Sequence, residues 1–554
     1  MPITVVNMIP KALSGETNQD SEPNLAVNPN NTMQIVGTAF TPSPSGGTLA
    51  PIYVSSDGGQ TWALNAIVPG ASSFPTFDIT MKFGGTSNVL YGGIIRADNT
   101  NLAILRTSNY LSPTPMTVLL TRAPSSSGAI DDQPWVQATT ATAVAGTPDR
   151  VYVGSNDQLT SPKSAHIDQS LSAATAAAPA GFTAAGVTIA SRSAAGGQDG
   201  PSVRPTIHSS GRIYAAYFNW TNFSSASIVT TDVVVCRDDN WGSGGSPYAA
   251  LVDAGDHLAG VRVATGVKIP WENNHFLGQE RVGSHLSIAV DPTNSSIVYL
   301  AWADFPAGAA PYTIHLRKST DAGVTWSADL RAIANGISPA LAVNSKGHVG
   351  FLYQTLTTSG TRWETHIEVS TNGFASAPTP SVLANVPSNA PVSTFLPYLG
   401  DYIYLMAVGT TFFGIFSANN TPDNANFPNG VKYQRNANFA THQLLNVDNT
   451  TPVPISIDPF FFTVTELIAI EPIHFIEPIK VVQPIHVIEP IKAVQPIHVV
   501  EPIKAVEPIK TIAPIKPIAP IKTIAPIKPI APIRPIIPVD PVDPIEPIDP
   551  VKPK

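Results

Sequence analysis

The side chains best suited to chemistry in this 554-residue chain are titratable groups near the start of short segments in which apolar residues alternate. They are Glu22, Asp78, Asp131, Asp132, Asp199, Arg204, Arg281, His285, Asp401 and Tyr402. Paired carboxylates can act as general acid and base, a tyrosine can act as a nucleophile, and a guanidinium can hold a carboxylate through two parallel hydrogen bonds. The alternative interpretation is that these polar groups line a water-filled channel.

The elements that position these groups recur along the chain. A proline or small residue, an alternating apolar segment, an Asn/Asp/Gly turn and a second apolar segment start near Pro23, Pro75, Pro134, Pro201, His285, Pro339 and Pro397. Period-two alternation indicates half-buried strands, and units of roughly 50–60 residues hold about four short strands with their turns. The sequence therefore predicts an all-β fold, a β-propeller of six or seven four-stranded blades.

Two octapeptides make this prediction more specific. Residues 55–62 read Ser-Ser-Asp-Gly-Gly-Gln-Thr-Trp and residues 319–326 read Ser-Thr-Asp-Ala-Gly-Val-Thr-Trp. Both resemble the Asp-box, or BNR, repeat of sialidase-like propellers, and residues 370–374 and 107–109 resemble decayed copies. In such a turn, glycine supplies the positive φ and the aspartate accepts backbone N–H groups, so we interpret Asp57 and Asp321 as structural.

The resemblance implies an activity that the sequence matches only in part. Sialidases use a Tyr nucleophile, a Glu partner, an Asp acid/base and three arginines that bind the substrate carboxylate. The first of these arginines normally precedes the first Asp box, but here the first arginine in the chain is Arg96. Residues 400–402, Gly-Asp-Tyr, are similar to a segment of bacterial BNR-type propellers. The candidate catalytic residues are therefore Asp401, Tyr402 and Arg204.

A second set of candidate residues lies in the longest interval between repeats, from Pro201 to His285. It consists of Trp241, Trp271, Glu272 and His275. Loops on a rigid scaffold carry binding functions disproportionately, and aromatic rings line many ligand sites, so we predict that these residues contact a ligand such as a glycan. An insertion that packs on its own blade is the alternative.

Composition limits the partners, cross-links and metal sites that the protein can have. A net charge of −8 argues against a nucleic-acid partner, which would require a basic surface. The single cysteine, Cys236, excludes an internal disulfide and a cysteine-based zinc site; it lies in a Val-rich segment that predicts a buried thiol. We expect no cofactor, no metal, no membrane span and no Sec-type signal, with the protein outside the cell or on a particle surface.

The C-terminal part has a different composition. Residues 471–554 parse into fourteen hexads with Pro always second, Ile or Val third, and Ile or Val sixth in every hexad but the last. This spacing favours polyproline II. Ile and Val left in water forgo burial, so side-by-side association of tails is favoured; a β-solenoid and a plain spacer remain alternatives. The predicted domains are a propeller at 1–463, a linker at 464–470 and the tail at 471–554.

Three functions follow as hypotheses. The first is a non-catalytic recognition or display protein, whose propeller binds a glycan or another surface ligand and whose tail self-associates into a fibrous stalk. The second is an exo-acting glycoside hydrolase of sialidase type with an altered site. The third is a structural fibre subunit in which the propeller is a cap or spacer.

Overall fold

In a computed structural model, the chain is described over residues 3, 5–40, 52–69, 76–96, 101–122, 132–157, 164–174, 181–182, 186–192, 203–223, 228–270, 277–279, 285–305, 312–394 and 396–465. These residues are almost entirely β structure, arranged as seven blade sheets and one small additional sheet. The all-β prediction is confirmed, and of the six or seven blades expected the described residues form seven. The hexad tail lies outside the described residues.

The first three blades are antiparallel four-stranded sheets whose strands pair in chain order. Blade 1 contains β2 (Ser21–Val27), β3 (Ile35–Phe40), β4 (Ile52–Ser55) and β5 (Ala63–Leu64); β1 (Val5–Asn7) precedes it in the chain and belongs to blade 7. Blade 2 contains β6 (Thr76–Phe83), β7 (Leu90–Arg96), β8 (Asn101–Thr107) and β9 (Thr117–Arg122). Blade 3 contains β10 (Asp132–Thr140), β11 (Asp149–Asp157), β12 (Ser164–Ser170) and β13 (Val187–Thr188).

Blades 4 to 6 repeat the same order. Blade 4 contains β14 (Val203–Ile207), β15 (Ile213–Phe223), β16 (Ile228–Asp238) and β17 (Val261–Pro270). Blade 5 contains β18 (Leu286–Asp291), β19 (Asn294–Asp304), β20 (Thr313–Ser319) and β21 (Arg331–Ala334). Blade 6 contains β22 (Gly336–Val343), β23 (Val349–Leu356), β24 (Arg362–Ser370) and β25 (Ser381–Pro387).

Blade 7 joins the two ends of the propeller in one sheet. Its strand order is β26 (Tyr404–Val408), β27 (Thr411–Asn419), β32 (Ile457–Thr465), β1 (Val5–Asn7) and β28 (Val431–Lys432). The last blade strand therefore runs two residues past the predicted end of the propeller at 463. Between β28 and β32 lies a small sheet of β29 (Ala437–Asn438), β30 (Gln443–Leu445) and β31 (Pro452–Val453), and two 3-10 helices span Lys11–Leu13 and Asn424–Asn426.

The first strand of each blade lies innermost, and these seven strands close a ring. Contacts run from β2 to β6, β10, β14, β18, β22 and β26, and from β26 back to β2. Middle strands are buried on both faces because each blade packs against two neighbours, as in the run Val233–Cys236 of β16. The predicted burial of Cys236 is confirmed, and this burial raises the pKa of its thiol to about 12.

The turns that follow the third strands bear out the geometry expected of the octapeptides. The Asp57 carboxylate accepts the N–H groups of Gln60 and Thr61 at 3.0 and 2.9 Å, and the Trp62 indole N–H donates to the Gly59 carbonyl at 3.1 Å. Gly59 has φ +85° and lies against Phe461 of β32, where a β-carbon would clash. The turn therefore both locks its own hairpin and lets Trp62 pack on the neighbouring blade.

The same arrangement recurs in two other blades. Asp321 accepts the N–H of Thr325 at 2.9 Å, and the Trp326 indole donates to Gly323 at 3.2 Å. In blade 6, Asn372 stands at the equivalent place, and Ser370 accepts the N–H of Phe374 at 2.7 Å. Among the described residues, the hydrogen bonds of the Asp57 and Asp321 carboxylates lie within their own turns, which supports a structural role.

A buried carboxylate in β32 links the N-terminal segment of the chain to blade 7. Asp458 accepts hydrogen bonds from Asn7 in β1 and Asn420 at 2.7 Å each and pairs with Arg435 at 3.1 Å. Arg435 in turn donates to the Ser14 and Glu16 carbonyls. The side chains of the Asp458–Arg435 pair are both fully buried. The N-terminal segment is therefore fixed to blade 7 by a charged network as well as by strand pairing.

We predict that Asp458→Asn destabilises the propeller by about 3–5 kcal/mol, because it removes the carboxylate with which the buried Arg435 guanidinium forms its ion pair. Urea unfolding of the full chain measures the free energy of unfolding. The matched control is Asp448→Asn, which removes the same charge from an exposed turn. Equal stability of the two variants would contradict the expected contribution of this ion pair.

Candidate functional site

The innermost strands bring six polar side chains together at one end of the ring axis. We call them the axial cluster: Glu22, Asp78, Gln133, Arg204, Asp401 and Tyr402. Glu22, Asp78, Gln133 and Arg204 lie at the start of β2, β6, β10 and β14, and the other two residues lie three and two positions before β26. The three residues predicted to be catalytic, Arg204, Asp401 and Tyr402, are therefore placed side by side by the fold.

Irregular backbone aims these side chains inward. The pairing of the first and second strands shifts register near the start of β2, β6, β10 and β22. Within three of these bulges, Glu22, Gln133 and Ser338 adopt left-handed backbone, with φ between 51° and 53°. Each of the three precedes a proline. A bulge re-aims side chains locally, so this repeated X-Pro step turns the side chain of X out of its usual strand orientation.

Hydrogen bonds join the cluster across blades. The Tyr402 hydroxyl lies 3.0 Å from Asp78 Oδ1, and the Gln133 amide donates to Asp401 Oδ2 at 2.8 Å. The backbone N–H of Asp401 donates to Glu22 Oε1 at 3.2 Å. Blade 7 is thereby connected to blades 1, 2 and 3, so the cluster contributes to the structure as well as forming a candidate site.

Arg204 is the cation of the cluster and is 1% exposed. Its guanidinium lies 4.1 Å from the ring centre of Trp135 and 5.7 Å from that of Tyr402. Burial lowers the pKa of Arg204 to about 10, although Tyr402, Asp78, Asp401 and Glu22 counteract this shift. Arg204 is therefore positively charged at neutral pH and is stabilised by aromatic rings and carboxylates instead of water.

Tyr402 is fully enclosed and remains a neutral phenol. Burial, followed by the charges of Asp78 and Glu22, raises its pKa well above the usual value, while Arg204 acts in the opposite direction. A neutral hydroxyl next to a carboxylate donates its proton into a hydrogen bond. The Tyr402–Asp78 pair can therefore orient a ligand, and Asp78 is positioned to accept the proton of Tyr402 should that oxygen form a bond.

A pocket opens beside the cluster, between the innermost strands of blades 3 to 7. Its walls are Trp135, Gln137, Arg204, His285, Leu286, Ser287, Ile288, Ser338, Pro339, Ala340, Leu341, Asp401, Tyr402, Ile403, Tyr404 and Leu405. The cavity volume is about 30 Å³, enough for the centres of one or two water-sized groups. Apolar and aromatic walls with a few convergent polar groups are typical of ligand sites.

Ser338 and His285 supply polar atoms to this pocket. The His285 Nδ1 atom accepts the N–H of Ser338 at 3.3 Å, which places the two side chains next to each other. Ser338 is 2% exposed, and its hydroxyl has no hydrogen-bond partner within the described part of the chain. A buried hydroxyl without a partner is costly, and a ligand or water in the pocket would satisfy it.

Two glutamine side chains form hydrogen bonds with the backbone of the segment that carries Asp401. Gln279 is fully buried and donates to the Gly400 carbonyl at 3.1 Å, while Gln19 donates to the Tyr398 carbonyl at 3.0 Å. Gly400 has φ +90° and packs against Glu22 so closely that a β-carbon would overlap the Glu22 backbone. Only glycine fits this position, which explains why the segment reads Gly-Asp-Tyr.

The other predicted site residues are placed differently. Trp241 lies in the turn after β16, where its indole packs on Gly211 and 5.0 Å from the guanidinium of Arg150. Gly211 follows the far end of β14, so Trp241 is at the opposite end of blade 4 from Arg204 and is 7% exposed. The predicted Trp271, Glu272 and His275, together with Asp131, Asp199 and Arg281, lie outside the described residues.

Several functional candidates were not singled out from the sequence. They are Gln133, Trp135, Ser338 and Gln279. The available signal was the X-Pro step at the start of the repeat, which predicts neither the bulge nor the direction of the side chain. Within the described ranges, no group of three or more His, Cys, Asp or Glu side chains could hold a metal ion, and no helix could cross a bilayer.

Comparisons with known proteins assign neither a family nor an activity to this chain. No protein-family model and no curated protein matches the sequence. Similar solved structures include the GH74 enzyme of Niastella koreensis (13% identity, 73% of this chain and 64% of that chain, TM-score 0.36), a PL25 ulvan lyase (11%, 73% and 92%, 0.42) and the phage phi92 endosialidase (11%, 84% and 70%, 0.38). This chain thus spans less than two thirds of the Niastella enzyme, and likenesses this weak decide neither ligand nor activity.

We predict that Arg204→Met destabilises the chain by about 3–5 kcal/mol at pH 7, because Glu22, Asp78 and Asp401 are left without their cation. Urea unfolding of the full chain at pH 7 measures the free energy of unfolding of each variant. Arg212→Met is the control, because Arg212 pairs with Asp239 at the surface and should cost no more than about 1 kcal/mol. A loss for Arg204→Met no larger than that for Arg212→Met would contradict this account.

Proposed function

We propose that the seven-bladed body is a recognition module that binds a glycan at the pocket beside the axial cluster. The observation that carries this proposal is the convergence of Arg204, Asp401, His285 and Ser338 with aromatic walls in one cavity at the ring axis. Hydroxyl-rich ligands suit such a lining, because carboxylate, amide and imidazole groups accept or donate hydrogen bonds while rings pack on apolar faces.

Recognition is favoured over catalysis by the state of the groups. Tyr402, Asp78, Gln133 and Asp401 are bonded to one another, and Tyr402 is a buried neutral phenol. Among the described residues of the seven innermost strands, Arg204 is the one arginine, whereas a sialidase of the type this sequence resembles uses three.

We infer that the turns at Asp57 and Asp321 are Asp boxes of the BNR type; the hydrogen-bond pattern that they share supports this.

A glycoside hydrolase is the second candidate, and one contact favours it. A tyrosine hydroxyl 3.0 Å from Asp78 has the arrangement of a nucleophile with its base, and the Glu22 and Asp401 carboxylates lie beside it. In this alternative the Tyr402 oxygen would attack the anomeric carbon while Asp78 accepts its proton, and the glycosidic C–O bond would break as a carboxyl group of the cluster protonates the leaving oxygen. Water would then displace the sugar from Tyr402, with Asp78 returning the proton to the phenol oxygen.

Binding of the full chain to a glycan array tests the first proposal. We expect binding to at least one glycan and its loss in Ser338→Asn, since the larger side chain fills the cavity while asparagine tolerates the left-handed backbone. Ser345→Asn, on an exposed turn of the same blade, is the matched control and should bind normally.

A hydrolysis assay, together with the glycan array, separates the alternative functions. Release of sugar from chromogenic glycosides, abolished by Tyr402→Phe and by Asp78→Asn, would favour the hydrolase over the recognition module. An array without hits, together with filaments seen by electron microscopy, would contradict both and favour a structural fibre subunit.

The tail completes the proposed function as a stalk that displays the propeller outside the cell or on a particle surface. Its Ile/Val positions in fourteen hexads support self-association. We predict that the full chain forms oligomers whereas a chain ending at Thr465 is monomeric, as measured by light scattering. Equal monomeric masses would contradict the stalk while leaving the binding proposal intact.

A further inference from the structure

Among the described residues around the pocket, negatively charged side chains outnumber positively charged ones. Among the described residues, three carboxylates, Glu22, Asp78 and Asp401, face one guanidinium, that of Arg204. The next described cation is Lys82, whose ammonium lies 3.4 Å from the Tyr404 hydroxyl and 5.8 Å from the centre of the Tyr404 ring. Even with Lys82 included, the formal charges of these five described residues sum to −1. An anionic group entering the pocket would therefore meet a surplus of negative charge.

Arg204, the one arginine on the described parts of the innermost strands, is not available to offset this surplus. The Arg204 guanidinium lies against the Trp135 ring, with the Tyr402 ring also nearby, and it donates to its neighbouring carbonyl of Val203 at 3.4 Å. Two parallel hydrogen bonds to a ligand carboxylate need an exposed edge of the guanidinium. Because Arg204 is 1% exposed and attracted by three carboxylates, it balances the cluster and does not act as an anion clamp.

The size of the cavity limits what can enter. About 30 Å³ admits one substituent of a sugar, such as a hydroxymethyl group, and not a whole ring. A hydroxyl in that position can donate to Asp401 and satisfy the Ser338 hydroxyl. A carboxylate in the same position can accept a hydrogen bond from the Ser338 hydroxyl, but it cannot donate to Asp401, which lines the wall and repels it.

We propose that the axial pocket accepts the hydroxymethyl group of an uncharged sugar and excludes anionic sugars such as uronates and sialates. This inference rests on the proposed glycan recognition and names its ligand class. It departs from what the sialidase resemblance implies, because that resemblance leads to a terminal sugar carrying a carboxylate.

The experiment compares sugars that differ only at one substituent. Titration calorimetry of the full chain with methyl glucoside and methyl galactoside, each against its uronate counterpart, should show at least tenfold weaker binding of the uronate for whichever parent sugar binds. Asp401→Asn keeps the side-chain shape but removes one negative charge, so the ratio between the two affinities should fall. Glu22→Gln provides a second such variant if the first unfolds.

The matched control is Asp57→Asn, which removes the same charge from the rim turn, where asparagine already stands in blade 6. This variant should leave the ratio unchanged. A uronate that binds as well as or better than its parent sugar, or an equal ratio in all variants, overturns the ligand class while glycan recognition stands. Absence of binding to any of the four sugars and to the glycan array overturns both proposals.

Discussion

A ring of seven sheets closes only when the two ends of the propeller meet in one blade, and every other feature depends on that joint. Val5 of β1 pairs with Phe462 of β32 on one side and with Val431 of β28 on the other. Because each blade contacts only its neighbours, an open joint would let the whole ring relax. The buried carboxylate of Asp458 converts this strand pairing into a charged connection through Asn7 and Arg435.

Closure fixes the radius at which the innermost strands lie, and so determines how close their first side chains come. Removing Arg204 from water is possible because rings and carboxylates from neighbouring and opposite blades surround it. The left-handed residues Glu22, Gln133 and Ser338 each cost about 1–3 kcal/mol. Such strain persists only where surrounding contacts over-determine it, and here it places the side chains of three blades at the axis and the pocket wall.

The sequence predicted the repeated sheets because alternation, turn residues and the Asp-box octapeptides are local signals that each blade carries. It also indicated Arg204, Asp401 and Tyr402, since charged and phenolic groups at the start of an apolar strand are conspicuous. Gln133 and Ser338 were missed because a neutral polar residue before proline has no distinctive type, and the bulge that aims it depends on the neighbouring strand.

Other features depend on contacts distant in sequence. The insertion of Val5–Asn7 into blade 7 joins residues more than 420 positions apart, and a three-residue strand gives no periodic signal. Trp241 was prominent by residue type, yet whether an indole lies exposed or packs on a glycine is decided by Gly211, thirty positions earlier. Residue type indicates what a side chain can do, but the register of the strands determines where it does so.

Whether the site only binds a sugar or also hydrolyses it depends on two things. One is the transfer of the Tyr402 proton to Asp78, and the other is the distance between the Tyr402 oxygen and the anomeric carbon of the sugar. Transfer of the Tyr402 proton to Asp78 would move a negative charge towards the Arg204 guanidinium, which lies 5.7 Å from the Tyr402 ring centre, so the cluster could electrostatically sustain an attacking phenolate. Attack also requires the anomeric carbon to come within about 3–3.5 Å of that oxygen. A cavity that admits a single substituent holds the sugar ring, and with it the anomeric carbon, outside. The geometry of the pocket, more than the chemistry of its side chains, therefore favours binding over bond cleavage.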